Sequence, residues 1–385
     1  MNKKNNLIPR FYTPEKKQSF FLFGPRGTGK SFFLKNFFPN ALVIDLLDDA
    51  TFLKFSNDPS RLGPIVHSLK DGDVLIIDEV QKAPQLLSKI HQLIEDDKFP
   101  QIQYILTGSS SRKLKRVGTD LLGGRAILNF MHPFMASELK EKFSLKKNLE
   151  LGLLPVVLGA ANPEATLASY IAVYLREEVK QEGLVKNLES FSRFLEVMSF
   201  SHGEVMNLSN IARECSIKRS TIDGYLEVLE DLLIAYRIPC FKKKNRKLTI
   251  DTDKFYYFDV GVFKSLRPNG PLDDPKSLLG PALEGLVIQN LKAWISYRKQ
   301  REELYYWRTK AGNEVDVIIY GPQIFWAIEI KNSSKFSKSD LSGLESFNED
   351  YPSAECFFLY RGENKEKHGK IKCLPIEEFL LGLTK

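Results

Sequence analysis

The sequence predicts an α/β protein whose first third forms a parallel sheet with crossover helices. Short apolar runs alternate there with stretches of helical periodicity such as Lys30–Asn36 and Gln85–Glu95. The apolar runs are Ser19–Phe23, Ala41–Asp45, Val74–Asp78, Gln103–Thr107 and, as a fifth strand, Ala126–Phe130. Buried strands that alternate with helices are typical of parallel sheets covered by helices.

Composition excludes several classes of protein. The chain has 385 residues, of which 43% are hydrophobic and 27% charged, as expected for a globular protein of about two to four domains. No apolar run approaches the length of a membrane span, and the start has no apolar region followed by a cleavage site. The four cysteines form no CxxC pair and the five histidines no metalloprotease pair. We therefore expect a cytoplasmic protein without a membrane partner.

A glycine-rich loop follows the first predicted strand and opens a helix. Its residues match the pattern G-x-x-x-x-G-K-[ST] and are Gly24, Pro25, Arg26, Gly27, Thr28, Gly29, Lys30 and Ser31. The glycines let backbone N–H groups surround a phosphate, and the helix N-terminus adds positive potential. Lys30 would reach the β- and γ-phosphates, and the Ser31 hydroxyl would ligate Mg²⁺. The sequence therefore predicts binding of ATP with Mg²⁺, against the alternative of a chance glycine turn.

Two carboxylates end the third predicted strand. Asp78 and Glu79 follow four apolar residues. Asp78 would hold the metal ion, and Glu79 would activate the attacking water. The next strand ends at Thr107 and Ser109, whose hydroxyls are candidates for bonding the γ-phosphate or that water; a plain turn is the alternative.

An arginine precedes the fifth predicted strand. Arg125 follows two glycines, and such an arginine can project into the nucleotide site of an adjacent subunit. This role would require a homo-oligomer; a surface arginine is the alternative. Whether Arg125 acts in its own subunit or in a neighbour stays open.

Together these motifs resemble a large group of prokaryotic AAA-type ATPases with a C-terminal domain of uncharacterised role. The resemblance rests on Gly24–Ser31, on the run Ile-Asp-Glu-Val-Gln-Lys-Ala-Pro at 77–84, on Leu-Thr-Gly-Ser-Ser at 106–110 and on Gly124-Arg125. It implies a parallel-sheet P-loop core of the AAA type, a helical lid, a winged helix and a C-terminal domain of the restriction-endonuclease-like fold. The corresponding domains are 1–134, 135–200, 201–261 and 262–385, and residues 262–282 are predicted to be a linker or long loop.

The third of these regions contains a predicted helix-turn-helix followed by a hairpin. The second helix begins with polar and basic residues, the part that contacts DNA in many helix-turn-helix proteins. A basic run between the two predicted hairpin strands would neutralise phosphates. The candidate DNA contacts are Lys218, Arg219, Ser220 and Thr221, and Lys242, Lys243, Lys244, Arg246 and Lys247. A packing module with a solvated basic loop is the alternative.

The last region carries two carboxylates and a lysine on adjacent predicted strands. Glu329 and Lys331 share a strand face because strand side chains alternate, and Asp316 lies on the paired strand. The arrangement looks like that of PD-(D/E)xK nucleases, in which carboxylates bind Mg²⁺ and activate water, and Glu284 on the preceding helix would complete the metal ligands. A structural ion pair between Asp316 and Lys331 is the alternative.

These observations predict a Mg²⁺-dependent ATPase of the AAA type that acts on DNA, with cleavage by the C-terminal domain left uncertain. The alternative is an ATP-gated switch or scaffold whose inert nuclease-like domain binds a protein or regulates transcription. A third hypothesis is a slow signalling ATPase in defence or toxin–antitoxin behaviour.

Overall fold

The computed structural model describes residues 8–110, 121–175, 187–242, 252–268 and 274–384, and the single residues 179, 185 and 270. The chain forms two compact units. One comprises Tyr12–His132 and Glu230–Leu233, and the other comprises Met1–Phe11, Pro133–Leu229 and Ile234–Lys385.

The first unit is built on a five-stranded parallel sheet, which confirms the predicted α/β core. Its strands are β1 (Phe20–Phe23), β2 (Leu42–Asp45), β3 (Val74–Asp78), β4 (Gln103–Gly108) and β5 (Ile127–Phe130). Their order in the sheet is β2-β3-β4-β1-β5. The connecting helices are α1 (Lys30–Phe37), α2 (Asp49–Asn57), α3 (Leu62–His67) and α4 (Leu86–Glu95).

The central strands are buried on both faces, as the uninterrupted apolar runs predict. All four side chains of β1 are at most 1% exposed, and β4 is buried throughout. Helix α2 begins where the Asp48 carboxylate accepts a hydrogen bond of 2.8 Å from the Thr51 amide, a normal N-cap. Because all strands are parallel, the segments that follow β1, β3 and β4 emerge at one edge of the sheet, which we call the carboxyl edge.

Helices dominate the first part of the second unit, as predicted for 135–200. They are α5 (Ala136–Leu139), α6 (Leu145–Leu151), α7 (Pro155–Leu158), α8 (Pro163–Ser169) and α9 (Leu188–Ser199). The helix predicted at Leu167–Glu178 has a π-helical turn at Tyr170–Leu175, and its last three residues lie outside the described residues.

A helix, a turn, a second helix and a two-stranded antiparallel hairpin follow, in the predicted order. These elements are α10 (Leu208–Glu214), α11 (Arg219–Asp231), β6 (Ala235–Ile238) and β7 (Lys254–Tyr257). The rings of Phe191 on α9 and Tyr225 on α11 meet edge to face at 5.0 Å between centroids. This contact anchors α11 to α9.

The predicted linker at 262–282 is shorter in the structure. Helix α12 (Val260–Leu266) enters it, because buried Asp259 accepts hydrogen bonds from the amides of Gly261 and Val262 at 2.9 and 3.3 Å. Helix α13 (Leu279–Arg298) starts four residues before the predicted Leu283. Pro281 falls in the first turn of α13, where a missing N–H breaks no helical hydrogen bond.

The C-terminal part of the second unit is a six-stranded mixed sheet, in the order β12-β13-β11-β10-β9-β8. Its strands are β8 (Glu303–Arg308), β9 (Glu314–Tyr320), β10 (Phe325–Lys331), β11 (Glu355–Tyr360), β12 (Glu366–His368) and β13 (Ile371–Pro375). Helices α14 (Ser342–Asp350) and α15 (Ile376–Leu381) complete it.

One side chain from outside the C-terminal region fills the core of this sheet. Phe241, which follows β6, is 1% exposed and packs with Trp307, Phe325, Phe347 and Tyr351. Its amide donates to the carbonyl of Tyr306 on β8 at 2.7 Å. None of the helices in the described part of the chain is long and apolar enough to cross a membrane.

Candidate nucleotide site and carboxylate centre

The glycine-rich loop lies at the carboxyl edge, between β1 and α1. Gly27 and Gly29 have φ of 81° and 87°, a region that side chains with a Cβ rarely occupy. A Cβ on Gly24 would lie 2.3 Å from the carbonyl oxygen of Met131 after β5. These glycines are therefore needed both for the turn of the loop and for its close approach to the neighbouring chain segment.

Lys30 is buried within the loop that it follows. It is 5% exposed, and its Nζ donates to the carbonyls of Gly24 at 2.7 Å and Pro25 at 3.3 Å. The Thr28 hydroxyl also donates to the Pro25 carbonyl, at 2.7 Å. The ammonium is thus held inside the curve of the loop, where the predicted phosphate contact requires it.

Asp78 and Thr107 join two strands at the carboxyl edge. Asp78 ends β3 and is 4% exposed, and the fully buried Thr107 hydroxyl on β4 donates to its Oδ1. The amide of Glu79 donates to the same Thr107 oxygen at 3.3 Å. Three candidate residues from the sequence, Asp78, Glu79 and Thr107, thus lie in contact at the carboxyl edge.

Glu79 occupies an uncommon backbone conformation. Its φ is 59° and its ψ is 45°, the left-handed region in which non-glycine residues are often found at functional turns. Its Oε2 accepts a hydrogen bond from Nε2 of Gln81, which also donates to the Ser109 hydroxyl at 3.1 Å. Gln81 therefore connects the predicted water-activating carboxylate with the predicted phosphate-contacting hydroxyl.

Sequence reasoning assigned no role to Gln81. It lies within the 77–84 run that carries the family resemblance, but no motif distinguishes it from a turn residue. The structure shows it 6% exposed, and a Cβ on Gly108 would lie 2.3 Å from its Oε1. Gly108 therefore leaves the space that the Gln81 amide fills.

These residues fit a nucleotide with Mg²⁺. The described site offers one buried ammonium, one buried carboxylate and the half-buried Ser31 at the start of α1. A carboxylate and a hydroxyl are oxygen donors of the kind Mg²⁺ prefers, and it usually keeps several waters besides. Arg26 lies half-buried in the same loop.

Arg125 lies at the opposite edge of the sheet. It precedes β5, whose Ile127 pairs with Phe20 at the start of β1, and it lines a cavity with Lys17, Ser19 and Gln101. Its guanidinium pairs with Glu95 at the end of α4. The length of β1, roughly 13 Å at about 3.3 Å per residue, separates it from the glycine-rich loop. Arg125 therefore lies away from the glycine-rich loop of its own chain.

In the second unit, a buried lysine lies among acidic side chains. We call Glu284, Glu314, Asp316 and Glu329 the carboxylate centre. Lys254 on β7 is 3% exposed, and its Nζ lies 3.2 Å from Glu284 Oε1, 2.7 Å from Glu314 Oε1 and 3.8 Å from Asp316 Oδ1. Sequence reasoning missed Lys254, because a lysine in a hairpin strand resembles any solvent-facing residue.

Two carboxyl groups of the centre resist ionisation. Burial, followed by the charge of Glu284, raises the pKa of Asp316 to about 7. Burial and then the charge of Asp316 raise the pKa of Glu329 well above its ordinary value, and Oε2 of Glu329 has no hydrogen-bond partner among the described residues. Asp316 Oδ2 accepts from the amide of Ile330 at 2.8 Å.

The predicted nuclease lysine makes a different contact. Lys331 Nζ lies 2.8 Å from Oδ1 of Asp340, in the turn before α14, so the ion pair between Asp316 and Lys331 that we considered is replaced by this one. Glu284, the predicted extra metal ligand, accepts from the buried Tyr256 hydroxyl at 2.6 Å. Among the described residues, no group of three or more His, Cys, Asp or Glu side chains is arranged to hold a metal ion.

The predicted DNA contacts at the start of α11 lie on the surface. Lys218, Arg219 and Ser220 are exposed, and Thr221 is half-buried. Lys242 is half-buried. The remaining residues of the basic run, Lys243, Lys244, Arg246 and Lys247, lie outside the described residues.

Comparison with known families divides the chain in three. Residues 16–140 match the family described as an AAA domain. Beyond the AAA domain, residues 142–273 and 279–379 match two families, each described as a domain of unknown function.

Two curated relatives have no described function either. Uncharacterized proteins of Mycobacterium bovis and Mycobacterium tuberculosis are each 25% identical to this chain over 355 residues, which are 89% of this chain and 76% of theirs. The match thus extends well beyond the AAA domain.

Two solved structures show a weaker likeness. The RuvB Holliday junction branch migration motor of Thermotoga maritima gives a TM-score of 0.29 at 18% identity, over 58% of this chain and 82% of its own. A Drosophila ORC structure bound to AT-rich DNA and Cdc6 gives a TM-score of 0.20 at 10% identity, over 70% of this chain and 86% of its own. Scores this low support no functional conclusion for this chain.

Proposed function

We propose that the protein is a Mg²⁺-dependent ATPase that acts on DNA. The observation that carries the ATPase proposal is the continuous set of contacts from Asp78 through Thr107, Glu79 and Gln81 to Ser109 at the carboxyl edge, next to the buried Lys30. Such a set combines a metal ligand, a general base and a phosphate-facing cation in one place.

Each residue of the set has a separate task in hydrolysis. The loop amides and Lys30 bind and orient the phosphates, and Lys30 exchanges its loop carbonyls for phosphate oxygens. Ser31 and Asp78 would hold Mg²⁺, which when bound would neutralise part of the phosphate charge. Glu79 accepts a proton from the water that forms the new P–O bond, while the bond to the ADP oxygen breaks. Gln81 fixes the carboxylate of Glu79 for that proton transfer.

The arginine role requires a second subunit. Since Arg125 lies at the sheet edge away from its own glycine-rich loop, a loop that it serves would have to belong to a neighbouring subunit. We propose that Arg125 acts in trans in a homo-oligomer.

The DNA-acting part of the proposal is supported by the exposed start of α11. Lys218, Arg219 and Ser220 present two positive charges and a hydroxyl on the second helix of the helix-turn-helix, which suits contact with DNA phosphates. We propose that the helix-turn-helix and the β6–β7 hairpin together form a winged helix that contacts DNA phosphates.

For the C-terminal domain, one observation favours the non-cleaving alternative. The Lys331 ammonium is bound to Asp340 rather than to Asp316 or Glu329, so the lysine that a nuclease would use is engaged elsewhere. We propose that this domain binds a partner molecule without cleaving it and that ATP hydrolysis moves the domain. Metal-dependent cleavage is the second candidate.

The test combines hydrolysis and DNA binding. We expect Mg²⁺-dependent ATPase activity that falls at least about 100-fold in Lys30→Ala, while Lys35→Ala on the exposed face of α1 retains it. In fluorescence anisotropy, the pair Lys218→Ala/Arg219→Ala should weaken DNA binding and lower its salt dependence. The pair Lys146→Ala/Lys147→Ala replaces two exposed lysines of α6; it removes the same charge and should not weaken DNA binding. An equal loss of DNA-binding affinity in both double variants, or the absence of ATPase activity in wild type, would contradict the proposal.

A further inference from the structure

We propose that Lys254 is the resident cation of the carboxylate centre, which fixes the β6–β7 hairpin to the C-terminal sheet instead of holding a divalent metal ion. The proposal does not depend on ATP hydrolysis. It starts from the disagreement between the predicted nuclease metal site and the side chains that the structure places there.

The ammonium of Lys254 is enclosed on several sides. Glu314 comes from β9, Glu284 from α13 and Asp316 from β9, all within 4 Å of Nζ. The ring of Tyr306 on β8 lies 5.5 Å away, at cation–π distance. A lysine this deeply buried remains charged only with such partners, and they raise its pKa well above the ordinary value against the effect of burial.

The charges of the centre are nearly balanced without any metal ion. Lys254 and Arg308, whose Nε lies 3.4 Å from Glu314 Oε2, offset Glu284 and Glu314. Burial raises the pKa values of Asp316 and Glu329 and so favours their neutral forms, while the hydrogen bond from the Ile330 amide acts on Asp316 in the opposite direction. A divalent ion would bring two further positive charges beside the ammonium, which repels them strongly at this depth.

The backbone of β7 holds Lys254 in place. Lys254 pairs with Ile238 in the hairpin, and the next residue, Phe255, accepts from the Gly203 amide at 2.8 Å. The backbone from which the Lys254 side chain extends is therefore fixed on two sides. Its ion pairs tie the segment after the helix-turn-helix to two elements of the C-terminal region, α13 and β9.

Metal binding and stability together test the proposal. Nucleotide-free protein carrying Asp78→Asn, which removes the predicted metal ligand of the nucleotide site, is titrated with Mn²⁺ and followed by electron paramagnetic resonance. We expect the free Mn²⁺ signal to be unchanged. In the same background, Lys254→Met should lower the melting temperature by roughly 6–20 °C, since it leaves buried carboxylates without their cation.

The matched control is Lys331→Met, which removes a half-exposed lysine from an ion pair with Asp340; we expect a shift below about 4 °C. Lys254→Arg keeps the charge and should retain most of the stability. Mn²⁺ uptake that disappears in Asp316→Asn would overturn the proposal, as would a Lys254→Met shift no larger than that of Lys331→Met.

A further variant covers the case in which Lys254→Met does not fold. The triple variant Lys254→Met/Glu284→Gln/Glu314→Gln removes, together with the cation, the two carboxylates that lie nearest to it. If the centre is an ionic core balanced by Lys254, the triple variant folds and has a higher melting temperature than Lys254→Met. A triple variant that is as unfolded as Lys254→Met argues against that balance.

Discussion

The hydroxyl of Thr107 donates a hydrogen bond to Oδ1 of Asp78 and so connects the carboxyl ends of two adjacent parallel strands. The same oxygen accepts from the amide of Glu79. One buried hydroxyl thereby contacts the side chain of one predicted acidic residue and the backbone of the other.

Replacing this hydroxyl tests its positioning role. Thr107→Val keeps the shape of the side chain but removes both hydrogen bonds, so we expect the turnover number for ATP to fall about 10- to 100-fold. Thr107→Ser retains the hydroxyl and should restore most of the activity. Equal turnover in the valine and serine variants would show that the contact has no catalytic consequence.

Gln81 is expected to act on turnover rather than on nucleotide affinity. Gln81→Leu removes the link between Glu79 and Ser109, so the turnover number should fall about 10-fold or more while the dissociation constant for ATP changes little. The control is Gln85→Leu, because Gln85 bonds Ser56 instead. Steady-state kinetics and nucleotide titration on both variants make the comparison.

The position of Arg125 predicts complementation between subunits. Arg125→Ala keeps the glycine-rich loop and Lys30→Ala keeps the arginine, so each alone should be inactive. In mixtures, Lys30→Ala subunits can supply Arg125 to the intact loops of the other variant. We expect the ATPase activity of the mixture to exceed the sum of the activities of the two variants measured separately. Activity that stays at the sum at every mixing ratio would exclude a role in trans.

The buried Asp316 predicts a pH dependence of stability. Its pKa is raised to about 7 in the fold from an ordinary 3.8, so the folded protein holds the proton more tightly than the unfolded chain. The stabilisation is complete below pH 3.8 and is lost as the pH rises through 7, by about 1–4 kcal/mol. Urea unfolding at pH 5 and pH 8 should show this fall in wild type and a smaller one in Asp316→Asn.

Asp340→Asn serves as the control for that measurement. The hydrogen bond from Lys331 lowers the pKa of Asp340 to about 2, so Asp340 contributes stability above its ordinary pKa and loses it only as the pH falls toward 2. Between pH 5 and pH 8 the difference between wild type and Asp340→Asn should therefore stay constant.

The aromatic core of the C-terminal sheet predicts a large effect of a residue distant in sequence. Phe241→Ala should lower the free energy of unfolding by about 3–5 kcal/mol, because it opens a cavity among the rings that surround it. Leu381 is 37% exposed, and Leu381→Ala should change the free energy by less than about 1 kcal/mol. Chemical denaturation compares the two.

The nucleotide site was largely predictable because its signals are local. Each predicted strand is a continuous apolar run, and strand direction alone brings Asp78 and Thr107 to the same edge as the glycine-rich loop. The direction of β5 also places Arg125 at the other edge, once its pairing with β1 is known. The role of Gln81 was not predictable, since a polar residue in a short turn has no distinctive pattern.

The carboxylate centre shows where such reasoning stops. The alternation of β10 correctly places Glu329 and Lys331 on one face, but the rotamer that turns Lys331 toward Asp340 leaves no trace in the sequence. Lys254 comes from a strand far upstream of Asp316, and periodicity within a segment carries no information about such long-range partners.

The packing of Phe241 and the burial of Lys254 also bear on how this protein can be divided, by experimenters or by recombination between genes. A fragment that begins after residue 261 contains the entire six-stranded sheet and yet lacks both side chains. It would expose a ring-lined hollow and leave acidic groups without their counter-charge. The unit that has to stay intact is therefore the sheet together with the hairpin upstream of it. Recombination between the genes of relatives should preserve that longer segment.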